Sequence, residues 1–187
     1  LGVHFEDQER VAEDLETFTL NHLQQHVFGN DMIKAAIRSP DMSQCDLDAT
    51  SQHLRLAGEL PVKGFGEIAL TELKSNAVNI SEQYDALLKE QGWSREPVAP
   101  IPLELAPFNI HGSASLVIED WLIDLRIREN HPTDYARIEF RPGAILKDGK
   151  AKRHSLVGLW VRHVAASSMG YSLTSSLIAA DTTLRLD

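Results

Sequence analysis

Tyr135-Ala136-Arg137-Ile138-Glu139-Phe140-Arg141-Pro142-Gly143 is the stretch on which the fold assignment rests. Its apolar alternation predicts a strand over 135–141, and Pro142-Gly143 stops that strand in a turn. Just upstream, Trp121-Leu122-Ile123-Asp124-Leu125-Arg126-Ile127 also alternates, which puts Trp121, Ile123, Leu125 and Ile127 on one face of a preceding strand. Glu119-Asp120 and Asn130-His131-Pro132-Thr133 are the expected turns on either side of it. An earlier β segment covers 102–105 and 108–118, with Gly112 marking a bulge. Downstream the period becomes helical over 150–169, with Leu156, Leu159, Trp160, His163 and Val164 facing inward. Two late strands follow, over 171–179 and 183–186.

The N-terminal half has a helical period throughout. Short amphipathic helices are expected over 20–28, capped by Thr19 and ended by Gly29, then from Asn30 to just before Pro40, and from Asp46 to Gly58. Leu60-Pro61-Val62-Lys63-Gly64-Phe65-Gly66 turns the chain into a long helix over 67–90. Ile68, Leu70, Leu73, Ala77, Ile80, Tyr84, Leu87 and Leu88 form its buried stripe, and Gly92 ends it. The proline-rich stretch 95–107 is the internal boundary. The reading is therefore a helical region over 1–95 packed on an α/β core over 96–187, a mixed α/β (α+β) fold.

Composition sets the outer limits. A chain of 187 residues with 43% hydrophobic and 24% charged residues has enough apolar surface for a substantial core. No apolar run is long enough to span a membrane, and the N-terminus has no signal-peptide pattern. The absence of an initial methionine and the strand-like end at Thr183-Leu184-Arg185-Leu186-Asp187 point to a fragment of a longer protein. Cys45 is the single cysteine, which excludes an internal disulfide, fits a cytoplasmic location and reads as a small core residue. The net charge of −9 is uneven: residues 1–96 hold 17 acids against 8 Lys and Arg, and the remainder hold 10 of each. A fragment this acidic is a poor coat for duplex DNA.

Glu139 closes its strand at the place where a metal-dependent nuclease carries acid-x-Lys. Such an enzyme needs a second carboxylate from the preceding hairpin, so that two acids hold a hard divalent cation. The matching position falls within 110–117, where Ser115 stands in place of the acid, and Arg141 replaces the lysine. Other constellations are weaker. His22 and His26 have the i, i+4 spacing of a metal pair but no third ligand nearby. Ser113 and Ser115 lack a hydrolase elbow, and Gly64-Phe65-Gly66 lacks the Gly-Lys-Ser/Thr of a phosphate loop. His111 and His163 read as hydrogen-bonded core histidines, and Trp93, Trp121 and Trp160 occupy core-like positions. The basic run Arg137, Arg141, Lys147, Lys150, Lys152, Arg153 and Arg162 is opposed only by Glu139 and Asp148. Arg141, Lys147, Lys150, Lys152, Arg153 and Arg162 are the DNA-backbone candidates, with a solvated helix face as the equal alternative.

The order of these features resembles one family. Leu1-Gly2-Val3-His4-Phe5 before an acid-rich stretch, then Phe18-Thr19-Leu20, the Leu60-Pro61-x-x-Gly64-Phe65-Gly66-Glu67 turn and Phe140-Arg141-Pro142-Gly143 are similar to the C-terminal region of the exodeoxyribonuclease V gamma subunit, the RecC family. The resemblance covers nearly the whole chain. It implies a restriction-endonuclease-like core that has lost its catalytic residues. An active relative would show Gly-x-x-Asp, Asp-Tyr-Lys-Thr-Gly and Gln-x-x-x-Tyr. Here Gly112 is followed by Ser115, Glu139 and Gly143 alone survive of the second motif, and the third falls near apolar Leu156 and Trp160. The implied role is a non-catalytic domain of a helicase–nuclease, without a cofactor or metal of its own. Its implied partners are the beta and alpha subunits (RecB and RecD families), which use Mg and ATP, and DNA in the full complex. Two other readings stand beside it: an active Mg-dependent nuclease pairing Glu139 with Glu104, Glu119 or Asp124, and a free-standing protein-interaction domain. Under the favoured reading, Ser115 and Glu139 lie on neighbouring strands.

Overall fold

The computed structural model describes residues 18–38, 44–110, 114–128 and 130–187. The elements run α1 (His22–Arg38), α2 (Gln44–Leu56), α3 (Gly64–Gln91), β1 (Ile101–Ile110), β2 (Ala114–Leu122), β3 (Leu125–Arg128), β4 (His131–Arg141), β5 (Leu146–Lys147), β6 (Lys150–Ala151), α4 (Arg153–Ser168), β7 (Ser172–Ala179) and β8 (Thr183–Leu186). The fold is mixed α/β, as the sequence pattern predicts.

α1 is one helix where the pattern predicts two. It starts from Asn21, not Thr19: the Gln24 N–H donates to Asn21 Oδ1 at 2.8 Å, and the Asn21 N–H donates to Gln24 Oε1 at 3.0 Å, a reciprocal capping box. Gly29 lies inside the helix and does not end it. A β-carbon on Gly29 would collide with Cβ of Pro142, so the α1 backbone rests directly on the turn after β4. α3 starts three residues earlier than expected. Gly66 lets the Pro61 carbonyl approach its backbone, and Gly92, at φ 69°, returns its N–H to the Leu88 carbonyl as a left-handed cap.

β3, β4, β7 and β8 form one sheet in that order. β4 pairs parallel with β7, and β3–β4 and β7–β8 are antiparallel. The parallel pair needs a crossover, and α4 supplies it. The sheet alternates cleanly along β4. Ala136, Ile138 and Phe140 point to α1 and α3, packing with Phe28, Met32, Ile80, Tyr84 and Ile178. Tyr135, Arg137 and Glu139 take the opposite face, toward α4, and Tyr135 packs with Leu125, Leu173 and Ala166. Trp93, buried after α3, stacks under the Arg128 guanidinium at 4.2 Å and fixes the end of the long helix to β3.

β1 and β2 form a separate two-stranded sheet. Its irregularity falls between Leu105 and Phe108; His111 and Gly112, where a core histidine and a bulge are expected, lie outside the described residues. Glu119 and Asp120 are not a turn but paired positions within β2, opposite Glu104 and Leu103. The turn comes at Asp124, with φ 58°, so the expected strand over 121–127 is two strands. A left-handed residue resets the alternation. In consequence Leu122 and Leu125 are buried, and Trp121 and Ile123 are exposed.

β5 and β6 join through Asp148 and Gly149, both at positive φ, a two-residue hairpin. Lys150 is therefore strand rather than helix, and α4 begins at Arg153. Leu159 and Ala166 are the buried residues of α4; Leu156 and His163 are half-buried. Trp160 and Val164, expected inside, are exposed. α4 is apolar on both sides, so periodicity alone does not select the inner one. No helix among the described residues is long and apolar enough to cross a membrane.

Candidate functional site

Glu139 lies opposite Leu177 on the face of the sheet that α4 covers. Its carboxylate is paired with two guanidiniums. One belongs to Arg137, two residues earlier on the same face, and the other to Arg162 of α4, whose Nη1 lies at 3.4 Å. The same Nη1 donates to the Gly158 carbonyl at 3.3 Å, which anchors Arg162 against its own helix. The Arg137 and Glu139 side chains are only 12% and 22% exposed. Burial, and then the like charge of Arg162, push the Arg137 pKa down, and Asp124 and Asp120 oppose that shift. Arg137 Nε is buried without a hydrogen-bond partner among the described residues. Next to this group, His163 Nδ1 meets Ser175 Oγ at 3.1 Å, and Ser175 pairs with Arg137 across β4 and β7.

The structure separates several residues that the sequence pattern groups. Ser115 lies on β2 opposite Asn109, in the two-stranded sheet. It is not on a strand neighbouring Glu139, and its side chain is outside the described residues, as is that of Cys45. The strands beside β4 are β3 and β7, and the acid that leads into β3 is Asp124, one residue before the Leu125–Arg137 pair. Glu104 and Glu119 face each other across β1 and β2. Leu156 packs near Ile145, Leu159 and Leu177, and Trp160 points to solvent. The α4 residue beside Glu139 is Arg162.

This geometry tests the fit of a nuclease metal. A hard divalent cation needs several free oxygen ligands. Here Oε1 of Glu139 meets two guanidiniums, which carry positive charge and have no acceptor atoms to offer a metal. Among the described residues no group of three or more His, Cys, Asp or Glu is arranged to hold an ion. The residues present do not fit the group. His26 Nε2 is instead engaged with Asn30 Nδ2 at 3.1 Å.

The basic candidates divide by geometry. Lys147 and Lys150 stand directly opposite each other on the β5–β6 hairpin, both exposed, and Arg153 is exposed at the start of α4. Among the described residues none of these three is in an ion pair. Lys152 Nζ donates to the Ala144 carbonyl at 2.9 Å, Arg162 is turned to Glu139, and Arg141 is half-buried at the end of β4. Asp181 holds the strand leading into the hairpin, accepting from the Ile145 and Leu146 N–H groups at 2.9 and 2.8 Å. Burial disfavours its charge, but these bonds and Lys152 outweigh that and hold the carboxyl below the usual aspartate range. Arg162, which the charge pattern assigns to DNA, keeps 41% of its side chain exposed but turns its Nη1 to Glu139, a pairing that a charge pattern does not reveal.

The family model for the RecC C-terminal domain matches residues 1–186 of the chain. No curated protein matches it.

Proposed function

The chain belongs to the RecC C-terminal domain family, and from that premise we propose that it is a non-catalytic domain of an exodeoxyribonuclease V gamma subunit acting in recombinational repair of double-strand breaks. Its core is a nuclease-like framework in which internal cations have taken the place of a metal. It serves by contacting the beta and alpha subunits, and it touches DNA backbone through Lys147, Lys150 and Arg153. The observation that carries the non-catalytic reading is the double pairing of Glu139 with Arg137 and Arg162. Phosphodiester hydrolysis of this type needs a metal-activated water held by several carboxylates, and two guanidiniums on Glu139 Oε1 oppose a cation there by like charge.

The test is direct. Purified domain with Mg or Mn is expected to leave single- and double-stranded DNA intact, and calorimetric titration is expected to show no micromolar metal binding. Metal binding and cleavage that both vanish in Glu139→Ala would establish the active-nuclease reading instead, with Asp124 as the second acid. Full-length subunit that fails to assemble with the beta and alpha subunits would point to a free-standing interaction domain.

A further inference from the structure

α4 presents its apolar side to solvent. Val157, Trp160, Val161 and Val164 are 55%, 56%, 50% and 43% exposed, and they stand at i, i+3, i+4 and i+7 on the side away from buried Leu159 and Ala166. A helix that is apolar on both faces is ordinarily covered on both. The sheet covers one face here, and among the described residues nothing covers the other. The stripe continues into a groove of about 430 Å³ between α4 and the edge strand β8, where Leu156, Trp160, Leu184 and Leu186 form the walls. Contiguous exposed apolar surface of this kind marks an interaction site.

We infer that the outer face of α4 docks an amphipathic helix of a partner subunit, one with apolar residues at heptad spacing and carboxylates on its flanks. This deepens the proposed function and rests on it. Charge selects the occupant. The 16 residues of α4 contain no Asp or Glu, Arg153 is exposed at its first turn, and Lys152 caps it. A second copy of α4 offers no carboxylate to Arg153 in either orientation, so charge does not favour self-pairing. Trp160 is the stripe's only aromatic residue, so no stacking platform for single-stranded nucleic acid is present. An acidic-flanked helix meets both the stripe and its rim, with Trp160 as the anchor, a residue type enriched in binding hot spots.

The experiment uses the full-length subunit assembled with its beta and alpha partners. A photo-crosslinking amino acid at position 161 is expected to trap a partner-subunit peptide with apolar heptad spacing and flanking Asp or Glu. The surface variant Val157→Ser/Trp160→Ser is expected to weaken assembly by about ten-fold or more, and Arg153→Glu to weaken it and reduce its sensitivity to salt. Crosslinks to a second copy, to DNA or to no partner overturn the inference. So does undiminished assembly by the double serine variant once circular dichroism shows that it is folded. Failure of the unmodified subunit to assemble at all would overturn the proposed function itself, and the docking inference with it.

Discussion

Gly29 and Pro142 approach each other so closely that no side chain fits between them: a β-carbon on the helix residue would overlap Cβ of the proline that ends β4. Asn76 of α3 grips the same turn from the other side, its Nδ2 donating to the Pro142 carbonyl at 2.6 Å. The turn after β4 is thus held between two helices that come much earlier in the chain.

Gly29→Ala should therefore destabilise the domain by roughly 1–3 kcal/mol, the usual range for overpacking, although alanine is the better helix former. Pro142→Gly removes the colliding atom. In a double-mutant cycle read by urea unfolding, the pair should be less destabilised than the sum of the single changes. Strict additivity would show that the two residues do not share this contact.

Glu139→Ala would leave Arg137 in a mostly buried site without its carboxylate. A loss on the order of 1–3 kcal/mol is expected, since an unpaired buried charge costs more than a surface ion pair contributes. Unfolding equilibria at neutral pH measure it, and a change below a few tenths would place the pair in effectively open solvent.

Asp181 supplies a pH dependence of definite sign. Its folded-state pKa is lowered, so the stabilisation is fully present above the ordinary aspartate range and is lost as pH falls through the lowered folded value. Asp181 is exposed, so the global effect is small and the local one is the better readout. Hydrogen exchange should show the Ile145 and Leu146 amides protected at neutral pH, and deprotected in strong acid or in Asp181→Ala. Protection that survives the substitution would assign those amides to other partners.

Lys147 and Lys150 are the clearest candidates for meeting phosphate. Reversing both to Glu should weaken DNA binding by the assembled complex and lower its salt slope by roughly one unit for each phosphate no longer neutralised. Unchanged affinity and slope would return the hairpin to solvent. Lys152→Ala should matter less for DNA, because that ammonium is engaged with the Ala144 carbonyl.

The sequence is most legible where one residue type has one structural use. Gly92 caps α3, and the alternation of 135–141 becomes β4. It misleads where a residue has several uses. Gly29 reads as a helix stop, yet it is the smallest residue at a crowded crossing. Asp124 looks like an ordinary strand position, but its left-handed backbone splits the strand and inverts the faces of Trp121 and Leu122. The site is half legible. Glu139 stands out from its neighbours, whereas Arg162 reaches it only because α4 crosses over the sheet, a relation no local pattern records.

The parallel pairing of β4 with β7 also bears on how the domain comes together. β3 and β4 are a local hairpin, available early, but β4 gains its other neighbour only after the whole of α4 has been laid across the sheet. Closing so long a loop is slow relative to hairpin formation. Until then β4 is a bare edge, open to pairing with the wrong chain. A chain interrupted before Ser172 would remain in that state, with Ile138 and Phe140 on an incomplete sheet. Aggregation of such truncated forms, more than any defect at the surface, is the hazard this topology carries.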